Sequence, residues 1–128
     1  MITSFSRHLN LLLFKFYLNR KTTLFTYYLL FQAWRFGPVF PDLYKILKKY
    51  RDQIIKNVPN VTETPLTSKQ IKIIDYVVSK YSRYDTWDLI DKIHSEAPWC
   101  DTFPAEKLFS RRTISDEKIL KYYSQNPI

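Results

Sequence analysis

Glycine is almost absent from this 128-residue sequence: there is one, Gly37. A glycine-rich phosphate loop needs several, so that class of nucleotide site is excluded. One cysteine, Cys100, removes any internal disulfide framework and suits a reducing, cytoplasmic setting. Two histidines, His8 and His94, with that one cysteine cannot build a four-ligand structural zinc site. Long apolar runs are missing as well. The best, Leu9–Leu18, is broken by Lys15 and followed by Asn19-Arg20-Lys21, short of the roughly 18 residues of a membrane span. No small-residue cleavage site follows it, as a signal peptide requires. No cofactor, metal site or membrane partner is therefore expected.

Aromatics are abundant: ten Tyr, nine Phe and three Trp make up 17% of the chain. With 45% hydrophobic and 25% charged residues, the composition is that of one globular domain whose core rests on few, large side chains. Charge is uneven. Residues 1–51 hold nine Lys/Arg against one acid, Asp42, whereas the remainder holds eleven of each sign, so the net charge of +8 sits in the first part. Such a basic half is either a solvated surface or faces an acidic protein or a nucleic acid.

The single glycine lies in Phe31–Tyr44, FQAWRFGPVFPDLY, the densest aromatic stretch. Gly37 tolerates positive φ, and Pro38 drives it out of the helical region, which predicts a sharp Gly-Pro corner. The flanking Phe31, Trp34, Phe36, Val39, Phe40, Leu43 and Tyr44 either plug a core or offer an aromatic platform to a partner.

Apolar periodicity predicts a short buried helix over Leu9–Leu18. Over Leu24–Phe36 a short strand pair and an irregular aromatic segment are both compatible with the pattern. Pro41 and Asp42 open a helix that Leu43, Ile46, Leu47, Tyr50 and Ile54 continue, with Lys45, Lys48, Lys49 and Lys56 on its other side. Residues 57–65 read as a loop. Thr67-x-x-Gln70 is a capping box with Leu66 and Ile71 at the staple positions, and Ile71, Ile74, Val77, Val78 and Tyr81 follow on one face. Asp85 or Thr86 caps a third helix bearing Trp87, Leu89, Ile90 and Ile93, which stops before Pro98. Residues 98–112 read as a loop, and Ile114-Ser115-Asp116-Glu117 starts a last helix through Ile119, Leu120, Tyr122 and Tyr123. The fold class is mainly α: a small single-domain helical bundle with an aromatic corner and room for a strand pair near residues 24–40.

Catalytic signals are poor. His94, Glu96, Cys100 and Asp101 fall within eight residues and suggest a nucleophile and base, yet nothing supplies an orienting group or oxyanion hole. A structural His94 at a helix end and a Cys100 filling space beside Trp99 are the simpler reading, so no catalytic residue is assigned and no enzyme is expected. Arg7, Lys15, Arg20, Lys21 and Arg35, interleaved with Phe and Tyr, could contact phosphates and stack bases, but no nucleic-acid-binding motif accompanies them.

Two signatures in fixed order remain. The first is Ala33-Trp34-Arg35-Phe36-Gly37-Pro38-Val39-Phe40-Pro41-Asp42-Leu43-Tyr44, and the second His94-Ser95-Glu96-Ala97-Pro98-Trp99, followed by ISDEKILKYY. Together they resemble the Panacea domain, the SocA-like antitoxin family of bacteria and their phages. Phe36 stands where that family usually has Tyr, and Ile93 where it has Thr. The resemblance covers about residues 31–124. It divides the chain into a divergent N-terminal segment, 1–30, and a Panacea-like domain, 31–128. The expected leading helix has no counterpart, the pattern of a truncated or frameshifted copy. The resemblance implies a mostly helical, cytoplasmic module that neutralises a cognate toxin by binding it, within a toxin–antitoxin system of a prophage or mobile element. It implies no catalytic residues. The toxin, encoded next door, is the expected partner, with a protease or chaperone as a further one and a nucleic acid as the alternative. Trp34, Arg35, Phe36, Gly37, Pro38, Tyr44, His94, Pro98 and Trp99 are the motif positions expected to carry partner binding or the architecture behind it.

Overall fold

Three short strands and five helices build the part of the chain that a computed structural model describes, residues 30–51, 53 and 65–127. The expected Leu9–Leu18 helix, Ile54, Lys56 and most of the 57–65 loop lie outside the described residues. Strands β1 (Gln32–Trp34) and β2 (Gly37–Val39) form an antiparallel hairpin, with Gln32 opposite Val39 and Trp34 opposite Gly37. A strand pair is therefore present near residues 24–40, but it runs from Gln32 to Val39 and not within Leu24–Phe36, of which residues 24–29 lie outside the described residues. Its turn is Arg35-Phe36, not Gly37-Pro38. Neither loop residue has positive φ; Gly37 carries it instead, at 128°. A primed two-residue turn would need positive φ in the loop itself, which Arg and Phe resist, so the strain passes to the one residue without a Cβ. Pro38 has no N–H to give a ladder, and β2 is accordingly an edge strand in the order β2-β1-β3.

Helix α1 (Pro41–Leu47) begins on Pro41 with Asp42 in its first turn, as expected, but it is shorter than its apolar spacing suggested. A single 3-10 turn, Lys48–Tyr50, follows, and Arg51 leaves it at φ 50°. Leu47 is buried while Ile46 is exposed. Helix α2 (Ser68–Tyr81) has the predicted capping box, with Gln70 N–H donating to Thr67 Oγ1 and Thr67 N–H to Gln70 Oε1. Its buried line is Val77 and Tyr81. Ile71 and Val78, expected on the same face, are exposed together with Leu66, because they lie roughly 80–100° round the helix from that line.

Helix α3 (Thr86–His94) is capped by Asp85, whose carboxylate accepts from Trp87 N–H, and buries Leu89, Ile90 and Ile93 while Trp87 stays exposed. The predicted loop 98–112 is more structured than its composition indicates. Pro98 sits in the first turn of a short helix, α4 (Ala97–Cys100), where a missing N–H costs nothing. Arg112 opens β3 (Arg112–Thr113), which pairs antiparallel with β1, and Ile114 N–H donates to Phe31 C=O at 2.8 Å. Helix α5 (Asp116–Gln125) is capped by Ser115 and buries Ile119 and Tyr123, with Leu120 exposed. One hydrophobic cluster draws on β1, α2, α3, α5 and the residue after β3: Phe31, Ala33, Val77, Tyr81, Leu89, Ile90, Ile93, Ile114, Ile119 and Tyr123. The described chain is mainly α with a three-stranded antiparallel sheet beside that core.

Candidate functional site

The two signatures meet. The hairpin sets Trp34 at the end of β1, where its indole N–H donates to Gln32 Oε1 at 2.8 Å and its ring meets Tyr44 edge-on, centroids 5.0 Å apart. From the other signature, Trp99 on α4 donates its indole N–H to the Trp34 carbonyl at 2.8 Å, across 65 residues of sequence. His94, the last residue of α3, lies near the Arg35 backbone, which favours its protonated form. The hairpin is thus tied to the α3–α4 junction through the Trp99 indole.

Around this tie the rings pile up. His94 lies flat on Trp99 at 3.8 Å between centroids, and Phe103 stacks on Trp99 at 4.9 Å. Pro38 and Pro98, one from each signature, are fully buried. Phe36, in the hairpin turn, meets Trp87 of α3 edge-on at 6.0 Å. Gly37 is buried in β2, so the corner plugs a core on one side. Its outer side stays open: Arg35 is exposed, and Trp34, Phe36 and Tyr44 are half-buried.

The electrostatics do not favour catalysis. Burial holds His94 below its ordinary pKa of 6.5, against the raising influence of the Arg35 carbonyl and Asp91. Its Nε2 is buried and has no hydrogen-bond partner among the described residues. Cys100 is exposed, not the filler beside Trp99 that the sequence suggested, and its thiol touches Ala97 C=O and Asp101 Oδ1. Its partial burial and then the Asp101 carboxylate push the thiol up, away from the nucleophilic thiolate. Glu96 is buried, accepts from the Tyr123 hydroxyl and lies 3.8 Å from Lys92 Nζ. It anchors α5. Burial, and then that carboxylate, push the Tyr123 and Tyr81 phenols up. No group of three His, Cys, Asp or Glu able to hold a metal occurs among the described residues.

Of the expected residues, Trp34, Arg35, Phe36, Gly37, Pro38, Tyr44, His94, Pro98 and Trp99 all lie at or beside this junction. Of the basic set Arg7, Lys15, Arg20, Lys21 and Arg35, only Arg35 falls within the described residues. Nothing in the sequence singles out Arg111 as a site residue; its guanidinium sits 5.7 Å over Trp34 and 5.3 Å over Phe109. Arg111 directly precedes β3, a two-residue strand too short to leave a period-2 pattern.

Comparison with known proteins agrees with the signatures. The family described as Antitoxin SocA-like, Panacea domain matches residues 13–100, more than half of the chain. The match takes in residues 13–30 and both signatures and ends at Cys100. No curated protein and no solved structure matches.

Proposed function

The chain belongs to the SocA-like antitoxin family, Panacea domain, and on that premise we propose that it neutralises a toxin by binding it directly in the cytoplasm. The observation that carries this reading is the convergence of both family signatures on one junction, with the Trp99 indole bonded to backbone and the His94 ring stacked on it. A site built for chemistry would instead aim such groups at a substrate. The exposed rim of the junction offers Arg and aromatic side chains, the residue types that dominate protein interfaces. No described helix is long and apolar enough to cross a membrane.

The test is co-expression with the product of the adjoining reading frame. The expected result is restored growth of cells making that product, together with a complex of fixed stoichiometry on co-purification. Growth restored without any complex, by a chain that lowers the toxin's transcript or destroys the toxin catalytically, would exclude direct neutralisation.

A further inference from the structure

The rim of the junction is neither uniformly polar nor uniformly apolar. Arg35 lies over the Phe36 ring at 5.4 Å, and Phe36 leads on to exposed Trp87. Arg111 lies over the rings of Trp34, in the same hairpin, and of Phe109. Two arginines are thus laid over aromatic rings of the hairpin, Arg35 over Phe36 and Arg111 over Trp34.

Beside them the chain leaves apolar groups in water: Leu108 is 78% exposed, Phe109 60% and Trp87 55%. Lys107, next to Leu108, and Arg112, next to Arg111, are exposed, and Glu106 is the acid nearest in sequence to Leu108 and Phe109. None of Arg35, Lys107, Arg111 and Arg112 is ion-paired with a carboxylate among the described residues.

We propose that Arg35, Trp87, Leu108, Phe109 and Arg111 form the surface that takes the toxin, and that the toxin meets it with an acidic face whose carboxylates flank an apolar recess. This rests on the antitoxin reading. The charge argues for the partner's sign: four cations with no carboxylate partner among the described residues are satisfied by carboxylates, and a guanidinium already resting on a ring loses little further freedom on accepting one. The apolar centre argues for a protein over a nucleic acid. Leu108 offers neither a stacking face nor a phosphate contact, and its exposure is relieved only against another apolar surface. The interface would carry an apolar centre ringed by charge, the ordinary anatomy of a specific complex.

The test uses the full chain and the product of the adjoining reading frame. Three double variants separate the contributions: Arg35→Glu with Arg111→Glu, Leu108→Ser with Phe109→Ser, and Lys69→Glu with Lys72→Glu, which reverses as much charge on exposed positions of α2. Melting curves of each variant first establish that the fold is kept. The expected result is a loss of affinity of about tenfold or more for each of the first two pairs, and an unchanged affinity for the α2 pair. A complex that forms with wild type and survives both patch variants would overturn the assignment of the surface while leaving the antitoxin reading intact. Equal losses for the arginine and α2 pairs would reduce the effect to net charge and overturn it too. Absence of any wild-type complex, with no rescue of growth, removes the antitoxin reading and this surface with it. Oligothymidylate is the last probe: retention lost in the arginine pair, with toxin affinity unchanged, would hand the patch to single-stranded nucleic acid.

Discussion

At the scale of single residues, Gly37 and Trp99 have sharply different duties. Gly37 sits at φ 128° inside a strand, where a Cβ is penalised, so Gly37→Ala should destabilise by roughly 1–3 kcal/mol. Denaturant titration measures it, and a midpoint equal to wild type would mean that the hairpin reaches its turn another way. Trp99→Phe keeps a ring between His94 and Phe103 but removes the N–H that Trp34 C=O accepts. A loss of about 1–3 kcal/mol is expected, the penalty of leaving a partly buried carbonyl unpaired. His94 adds a pH dependence of defined sign. Its folded pKa lies below the ordinary 6.5, so the unfolded chain takes up the proton first as pH falls. The stability His94 contributes is complete above pH 6.5 and is lost below it, down through the depressed folded value. Urea midpoints of wild type and His94→Asn at pH 8, 7, 6 and 5 isolate the term: the difference between them should shrink on acidification, and a constant difference would sink the assignment.

At the scale of elements, the C-terminal helix depends on one buried carboxylate. Tyr123→Phe removes the hydroxyl that Glu96 accepts and should cost roughly 1–3 kcal/mol at neutral pH. The phenol's raised pKa makes that contribution complete below its ordinary value of 10.0 and lost as pH rises beyond it, so Tyr123 helps to drive alkaline unfolding and the stability of Tyr123→Phe should fall less steeply above pH 10 than that of wild type. Absorbance of the phenolate followed beside circular dichroism checks this: ionisation of Tyr123 should coincide with unfolding, not precede it.

The elements also show what a sequence can and cannot disclose. The start of α1 and the caps of α2, α3 and α5 were legible, since Pro41, Thr67-x-x-Gln70, Asp85 and Ser115 act through atoms a few residues away. The end of α1, the exposure of Ile71, Val78 and Leu120, helix α4 and strand β3 were not. Each is decided by what the rest of the fold lays against it, and for β3 that is Phe31 and its strand near the start of the described chain. At the site, the signature residues were readable as motif positions. Their joining was not, because an indole N–H can seek a carbonyl 65 residues away without leaving a local pattern.

For the whole molecule, the order in which the sheet is completed has a consequence for its synthesis. Strand β1 leaves the ribosome well before its second partner, β3, which follows only after α1 to α4 have been made. At roughly 5–20 residues per second, β1 waits several seconds with that edge unpaired, and the apolar cluster lacks Ile114, Ile119 and Tyr123 until the same moment. The nascent protein is therefore late to close, and such an open edge invites pairing with another chain. Chains released short of Arg112 should be recovered in aggregates or lost to proteolysis, whereas chains reaching Gln125 should be recovered folded, a difference that pulse-labelling of stop-codon variants would resolve.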